Sequence, residues 1–341
     1  MKKLGNTVYI LTDGNYLHCE NDSIAIKTHD GETKHIPAHT IEQIVCLGNT
    51  TVSTPFIGFC GEHGISLSFH SENGRFYGRI YGKVTGNVLL RKAQFENLNT
   101  SIAINTVRNI LIGKLANSRF LLLKNGGNAN EENREKLKRA AELLSDQSKK
   151  LMESDNIDSM RGLEGTSANI YFSVFDNMIK SDNDEMKFVR RSHRPPENRC
   201  NAIMSFLYML LKNDVQSALE SVGLDTAVGY MHTLRPGRPS LALDIMEEMR
   251  AVMCDRLCIS MINLKQIQEN DFDTANGEYR LKDKARRLVA DEWQKSKKSE
   301  IIHPFMKEKI TVGLIPYSQA MLFARVLRGD LDEYPPFVWR L

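Results

Sequence analysis

The spacing of apolar and polar residues changes once along this chain. From residue 6 to about 85 it alternates in short runs. Residues 7–11, 16–20, 23–27, 33–37 and 41–45 read as strands, separated by Asp13-Gly14, Glu20-Asn21-Asp22 and Asp30-Gly31, which have hairpin turn chemistry. Residues 54–63 interrupt the series as a short helix, because Phe56, Ile57 and Cys60 repeat at helical spacing and Gly64 follows as a stop; strands resume at 66–69 and 76–80. Past Gly82 and Gly86 the period lengthens. Residues 88–123 carry apolar side chains at helical intervals, and 131–153, 164–179, 200–211 and 241–262 are further amphipathic helices. A turn falls near 273–277, and Pro335-Pro336 prevents the end of the chain from continuing a helix. The pattern predicts an α+β protein, with a strand-rich N-terminal domain at 1–85 and a larger, nearly all-α domain at 86–341.

Composition narrows the classes without naming one. A length of 341 residues, 41% of them hydrophobic, is ample for a core in each domain. The formal net charge of +3 is too mild to mark a nucleic-acid binder, so the distribution of charge has to carry that argument. The six cysteines include no CxxC pair, the start of the chain lacks an apolar signal segment, and no apolar run is long enough to span a bilayer. The expected location is the cytoplasm, with no membrane partner. There is no GxxxxGK[ST] loop, HExxH, GxSxG or GxGxxG, which removes support for ATP hydrolysis, zinc proteolysis, esterase and dinucleotide chemistry. The stretch 271–277 has a calcium-loop flavour, yet its glycine is displaced and Lys282 stands where the closing glutamate belongs, so an ordinary turn is expected.

Three separated segments hold the candidate chemistry: Arg161-Gly162-Leu163-Glu164-Gly165, Gly229-Tyr230-Met231-His232 and Ser240-Leu241-Ala242-Leu243-Asp244-Ile245-Met246-Glu247. Two carboxylates and an imidazole suit a hard or borderline divalent cation that leaves room for water and phosphate oxygens. Each segment also has a plainer explanation. Glu164 is expected in the first turn of its helix, on a face with Ala168, Tyr171 and Phe175, where it either stabilises the helix N-terminus or is a buried ligand. His232 precedes a loop with Arg235 and Arg238, and is either satisfied by a backbone carbonyl or a ligand flanked by two phosphate clamps. Ser240 is well placed as an N-cap; Asp244, Glu247 and Glu248 lie off the apolar stripe of Ala242, Ile245, Met246 and Met249, either as a solvated acidic face or as a pair sharing a metal. Basic residues cluster at 187–199, which includes Arg190, Arg191 and Arg194 before Pro195-Pro196, and again at 280–298.

In combination, these segments, with Ala168, Tyr171, Arg194-Pro195-Pro196, Asn201-Ala202, Tyr208 and Arg250, resemble the universal CRISPR-associated adaptation endonuclease and integrase family over essentially the whole chain. The Tyr334-Pro335-Pro336-Phe337 ending is similar to its subtype I-C branch. The resemblance implies that Glu164, His232 and Glu247 bind Mg2+ or Mn2+, with Asp244 as an acidic auxiliary; these four are the candidate catalytic residues. Glu247 stands where an aspartate is the shorter alternative. Arg190, Arg191, Arg194, Tyr208, Arg235 and Arg238 are the candidate DNA-binding residues. The implied reaction is transesterification, in which the 3′-hydroxyl of captured double-stranded DNA attacks a phosphodiester at a CRISPR repeat. His232 has to be neutral to coordinate, so activity is expected to fade in acid. A homodimer through the strand-rich domain and a small ferredoxin-like partner protein are also implied. Two other readings compete: a non-catalytic DNA-binding scaffold, and a general structure-specific repair nuclease.

Overall fold

The computed structural model describes residues 6–71, 76–80, 88–127, 129–181, 183–192 and 195–339; Arg194 and the expected domain boundary near residue 85 lie outside them. The chain divides into two compact units, Met1–Thr85 with Lys282–Gln294, and Gly86–Leu281 with Lys295–Leu341. The stretch 282–294, expected in the helical region, therefore groups with the strand-rich one.

In the first unit, β1 (Asn6–Ile10), β5 (Ile41–Leu47), β7 (Ser66–His70) and β8 (Phe76–Ile80) form one sheet in that order; β4 (Thr33–Pro37), β3 (Ser23–Lys27), β2 (Asn15–Glu20) and β6 (Thr50–Val52) form the other. Helix α1 (Thr54–Glu62) precedes β7 and is capped by Ser53, whose hydroxyl accepts from Phe56 N. Ile10, Ile44, Cys46 and Leu67 of one sheet pack with Leu17, Ile24 and Ile26 of the other and with Phe56 and Cys60 of α1. Burial alternates at the start of β2 as the sequence period implies, but is continuous over Ile24–Ile26 of β3 and Gln43–Leu47 of β5, which are covered on both faces. Two expected hairpins are present. Asn21 and Asp22 adopt positive φ between β2 and β3, and Gly31 turns β3 into β4. Asp13-Gly14 is not a hairpin, because β1 and β2 belong to different sheets; Asp13 instead accepts a hydrogen bond from Asn49 N at 2.6 Å. Strand β6 was not expected, since three residues are too few to show a period.

The second unit is built from α2 (Val88–Glu96), α3 (Ser101–Gly126), α4 (Glu131–Glu153), α5 (Ile157–Ser173), α6 (Arg199–Val222), α7 (Ser240–Met249), a π-helical turn Arg250–Asp255, α8 (Arg256–Asn263) and α10 (Ile315–Leu327). Helix α9 (Asp283–Lys297) lies mostly in the first unit. Two small hairpins complete the chain, β9 (Phe272–Ala275) with β10 (Glu278–Leu281) and β11 (Glu300–Ile302) with β12 (Lys309–Thr311). The first of these turns at Asn276-Gly277, both at positive φ, so 271–277 is an ordinary turn. Helices α3 and α4 pack along each other, α7 lies against α3 and α6, and α10 lies against α6.

Several helix boundaries differ from expectation: the helix expected at 164–179 ends at Ser173, that at 200–211 continues to Val222, and that at 241–262 is broken by the π-helical turn. The apolar run 88–123 is two helices, because Thr100 starts α3 by accepting from Ile102 N at 3.3 Å. Helix α5 begins at Asn156, whose side chain accepts from Asp158 N and Ser159 N, so Glu164 sits in mid-helix and not in the first turn. Ser240 is not an N-cap: Pro239 occupies that position, and the Ser240 hydroxyl donates to Thr233 O at 3.2 Å. Among the described residues no helix is long and apolar enough to cross a membrane.

Candidate metal and phosphodiester site

The first and third segments meet at a lysine. Lys114 of α3 places Nζ 2.8 Å from Glu247 Oε2 and also pairs with Glu164 Oε1, so one ammonium joins α5 to α7. Arg250 reaches the other oxygen, with Nη2 3.0 Å from Glu247 Oε1. Glu247 is 3% exposed and Glu164 27%. Burial alone would push the Glu247 carboxyl up, but Arg250, Lys114 and His232 outweigh it and hold the group below the usual carboxylate range. Burial disfavours the Lys114 charge too, yet Glu247 and Glu164 keep its ammonium protonated and raise its pKa. The acidic face beyond the apolar stripe is thus not solvated: Asp244, Glu247 and Glu248 are all buried. Glu248 points elsewhere and is pushed up to about 8 by burial, although Tyr334, the Phe337 amide and Gln319 donate to it and pull the other way.

The second segment is fastened to α7 by Asp244. One carboxylate oxygen accepts from Tyr230 N at 2.6 Å and Met231 N at 3.0 Å; the other accepts from His232 N at 2.9 Å and lies 2.6 Å from His232 Nδ1. With Nδ1–H directed to a carboxylate, the imidazole presents Nε2 as its free donor atom. Asp244 therefore orients the histidine, with both of its oxygens engaged by the 230–232 segment. Gly229 is required by this closeness, since a Cβ there would stand 2.6 Å from the Ser240 carbonyl carbon and 2.7 Å from Asp244 Oδ2. Two more side chains hold the loop. Arg161 Nε donates to Met231 O at 2.6 Å, which ties the arginine of the Glu164 segment to the residue before His232. Gln94 of α2, fully buried, donates to Asp225 O and Val228 O.

Arg250 is itself aligned. Its guanidinium lies 5.0 Å from the centre of the Tyr208 ring, and the Arg191 guanidinium lies 5.2 Å from the same ring. The Tyr208 hydroxyl donates to Asp255 Oδ1 at 2.7 Å and Tyr171 donates to Oδ2 at 3.0 Å. Burial pushes Asp255 up to about 6, against the pull of those two hydroxyls. Arg250 and Asp255 are the two ends of the π-helical turn, an insertion that often marks a functional stretch of helix.

The candidate DNA-binding residues are divided by this arrangement. Tyr208 and Arg191 are half-buried and engaged with other side chains, the latter donating to Asn201 Oδ1 at 2.8 Å. Arg190 is exposed and paired with Glu197 at 2.6 Å; Arg235 is exposed and Arg238 half-buried in the loop after His232. Lys114, Arg161 and Gln94 were not singled out as functional from the sequence. Lys114 had a signal, because a lysine three and four residues after Leu111 and Ile110 on a buried helix face needs a partner.

Glu164, Glu247 and His232 are donors of the kind a divalent cation takes. Glu247 Oε2 is buried and accepts no well-directed hydrogen bond, only the ion pair with Lys114. Among the described residues no three His, Cys, Asp or Glu side chains stand grouped as a ligand set; the Lys114 ammonium is the cation between the two carboxylates. The donor chemistry fits the implied metal, with a monovalent side-chain cation at the same carboxylates.

Comparison with known proteins gives the same direction. The family model described as CRISPR associated protein Cas1 matches residues 8–295. A protein of Chlorobaculum tepidum named CRISPR-associated endonuclease Cas1 1 is 43% identical over 343 aligned positions, covering 100% of both chains. The solved structure of a Cas1 protein from Thermotoga maritima superposes with a TM-score of 0.82 at 25% identity, over 95% of this chain and 97% of that one. A casposase bound to integration product has the same fold, with a TM-score of 0.84 at 18% identity over 98% of this chain and 94% of that one. The α+β architecture is that of these structures, and the chain belongs to the CRISPR-associated Cas1 family.

Proposed function

We propose that this chain is a metal-dependent DNA endonuclease and integrase of CRISPR adaptation, in which Glu164, His232 and Glu247 hold Mg2+ or Mn2+. The observation that carries the reading is the meeting of three distant motifs: Lys114 bridges Glu164 and Glu247, while Asp244 clamps His232 with Nε2 free. A bound divalent cation would polarise the phosphoryl oxygen and stabilise the attacking or leaving oxygen. Asp244 fixes the ring so that no rotamer freedom is lost when Nε2 is used. Arg250 occupies Glu247 Oε1, which leaves Oε2 to Lys114 or to a cation.

In the joining reaction the 3′-hydroxyl of captured DNA gives up its proton to solvent as its oxygen bonds to a phosphorus at the CRISPR repeat. The bridging oxygen leaves with the bonding pair and takes up a proton. One phosphodiester replaces another, so no nucleoside triphosphate is needed. Arg190, Arg194, Arg235 and Arg238 supply phosphate contacts, whereas Arg191 and Tyr208 act by aligning Arg250. The strand-rich residues 1–85 form the homodimer contact and 86–341 carry the chemistry, with the small ferredoxin-like partner completing a cytoplasmic complex on double-stranded DNA.

The test is strand transfer of a short duplex with 3′-hydroxyl ends into a supercoiled plasmid bearing repeats, with the small partner supplied, in Mn2+ or Mg2+. Joined products from the parent, and a loss of more than about a hundredfold in Glu164→Ala and Glu247→Ala, are expected. A non-catalytic scaffold is the second reading, favoured by the self-contained ion network of Lys114, Glu164, Glu247 and Arg250. DNA binding without joining or cutting by the parent protein would select it. Cut ends without joined products would select a repair nuclease.

A further inference from the structure

We infer that the segment 334–339, near the end of the chain, is a strap that positions the metal-binding carboxylate, acting through Glu248 and Asn117 on Glu247 and Lys114. The inference rests on the metal reading above and adds residues beyond the family model, which ends at residue 295. Glu248 follows Glu247 on α7, so their side chains leave the helix about 100° apart. Glu247 turns to Lys114, and Glu248 turns to the strap.

The contacts are polar and specific. Glu248 Oε1 accepts from the Tyr334 hydroxyl and from Gln319 Nε2 at 2.9 Å; Oε2 accepts from Phe337 N at 2.8 Å. Asn117 of α3 donates to Glu248 O at 2.6 Å and to Phe337 O at 2.8 Å, and accepts from Trp339 N at 2.7 Å. One asparagine thus ties together α3, α7 and the strap. Glu248, Asn117, Tyr334 and Phe337 are all 0% exposed. Gly113, beside Lys114, lets the three approach: a Cβ there would meet Glu248 Oε2 at 3.0 Å and Phe337 O at 3.2 Å. At the far end the Trp339 ring lies 4.5 Å from the Arg256 guanidinium of α8.

Packing alone does not call for this design. A buried carboxylate with several donors is often no more stabilising than an apolar cluster of the same volume, and its distinct contribution is to fix one geometry. Here the geometry fixed is the separation of α3 from α7, and therefore the place of Glu247 relative to Lys114. Lys114 and Asn117 are three residues apart on α3, and Glu247 and Glu248 are adjacent on α7, so a shift at the strap is transmitted within one helical turn.

The test uses the full chain and Tyr334→Phe, which keeps the ring and removes one donor, beside a chain ending at Glu333 and Glu247→Ala. Mn2+ binding is measured by titration calorimetry, thermal stability by circular dichroism, and kcat and KM by plasmid strand transfer. Tyr334→Phe is expected to lower Mn2+ affinity about tenfold, as second-sphere changes do, and to lower kcat with KM for DNA unchanged. The truncated chain is expected to lose more of both. Mn2+ affinity in Tyr334→Phe equal to the parent's, with or without a lower melting temperature, would reduce the strap to packing and overturn the inference. Mn2+ binding kept in Glu247→Ala would instead remove the metal reading, and the strap's role with it.

Discussion

The strand-rich residues 6–80 and the helical unit keep charge in opposite ways; Arg286 of α9, grouped with the first unit, is the buried ion on that side among the described residues. Between residues 6 and 80, the buried polar side chains among those described are Asn15, Gln43, Ser68 and His70, all neutral amides, hydroxyls or imidazole. The helical unit buries Asp214, Asp244, Glu247, Glu248 and Asp255 together with Arg199 and Lys297. An ion inside a protein costs several kcal/mol unless partners offset it, so a core holding seven charged side chains is shaped by something other than stability. The strand-rich residues show a core built without buried ions. The helical unit shows a core that also has to hold a site.

The contrast can be broken most sharply at Lys114. Lys114→Met would leave Glu247 and Glu164 with less compensation and is expected to destabilise the protein by about 3 to 5 kcal/mol, measured by urea unfolding. Mn2+ should then raise its melting temperature more than the parent's, because the cation replaces the lost charge. The matching change in the other unit is Leu17→Ala. It should cost about 2 to 5 kcal/mol by cavity formation and leave the Mn2+ response unaltered, and a changed response there would erase the difference between the units.

A smaller effect is expected at Asp244→Asn, which spoils the clamp on His232 Nδ1 while leaving Glu164 and Glu247 in place. Mn2+ affinity should fall roughly tenfold or more by calorimetry, with DNA affinity retained. The pH response separates the units again. Glu247 is held below the usual carboxylate range, so its stabilising contribution is present above the unfolded value of 4.5 and is lost as pH falls through the lower folded value. Denaturation of Glu247→Gln and the parent at pH 7 and pH 3 should therefore show a smaller gap between them in acid. The mildest effect belongs to the loop: Arg235→Ala with Arg238→Ala should reduce the salt slope of DNA binding by about two units, and an unchanged slope would exclude both as phosphate contacts.

Local signals were sufficient for much of this molecule. Strands β3, β4 and β8 and helix α4 fall where periodicity and turn residues predict, because period-two alternation, turn pairs and capping asparagines act over a few neighbours. Two local readings failed. The helix expected from residue 164 begins seven residues earlier, at Ile157, and Asp13-Gly14 was read as a hairpin although it joins strands of different sheets. Which sheet a strand enters is decided by partners thirty or more residues away, as in the pairing of β1 with β5.

The same division runs through the site. The sequence by itself determined the family motifs, the residue types able to bind a divalent cation and the glycine before Tyr230. It did not determine that Asp244 serves His232, that Lys114 stands between Glu164 and Glu247, or that Glu248 faces away from its neighbour toward the strap. Those contacts run from 12 residues apart, for His232 and Asp244, to 133 apart, for Lys114 and Glu247. The sequence lists charged side chains with equal weight, and only tertiary packing, by removing water from some and leaving it on others, decides which charges must find each other.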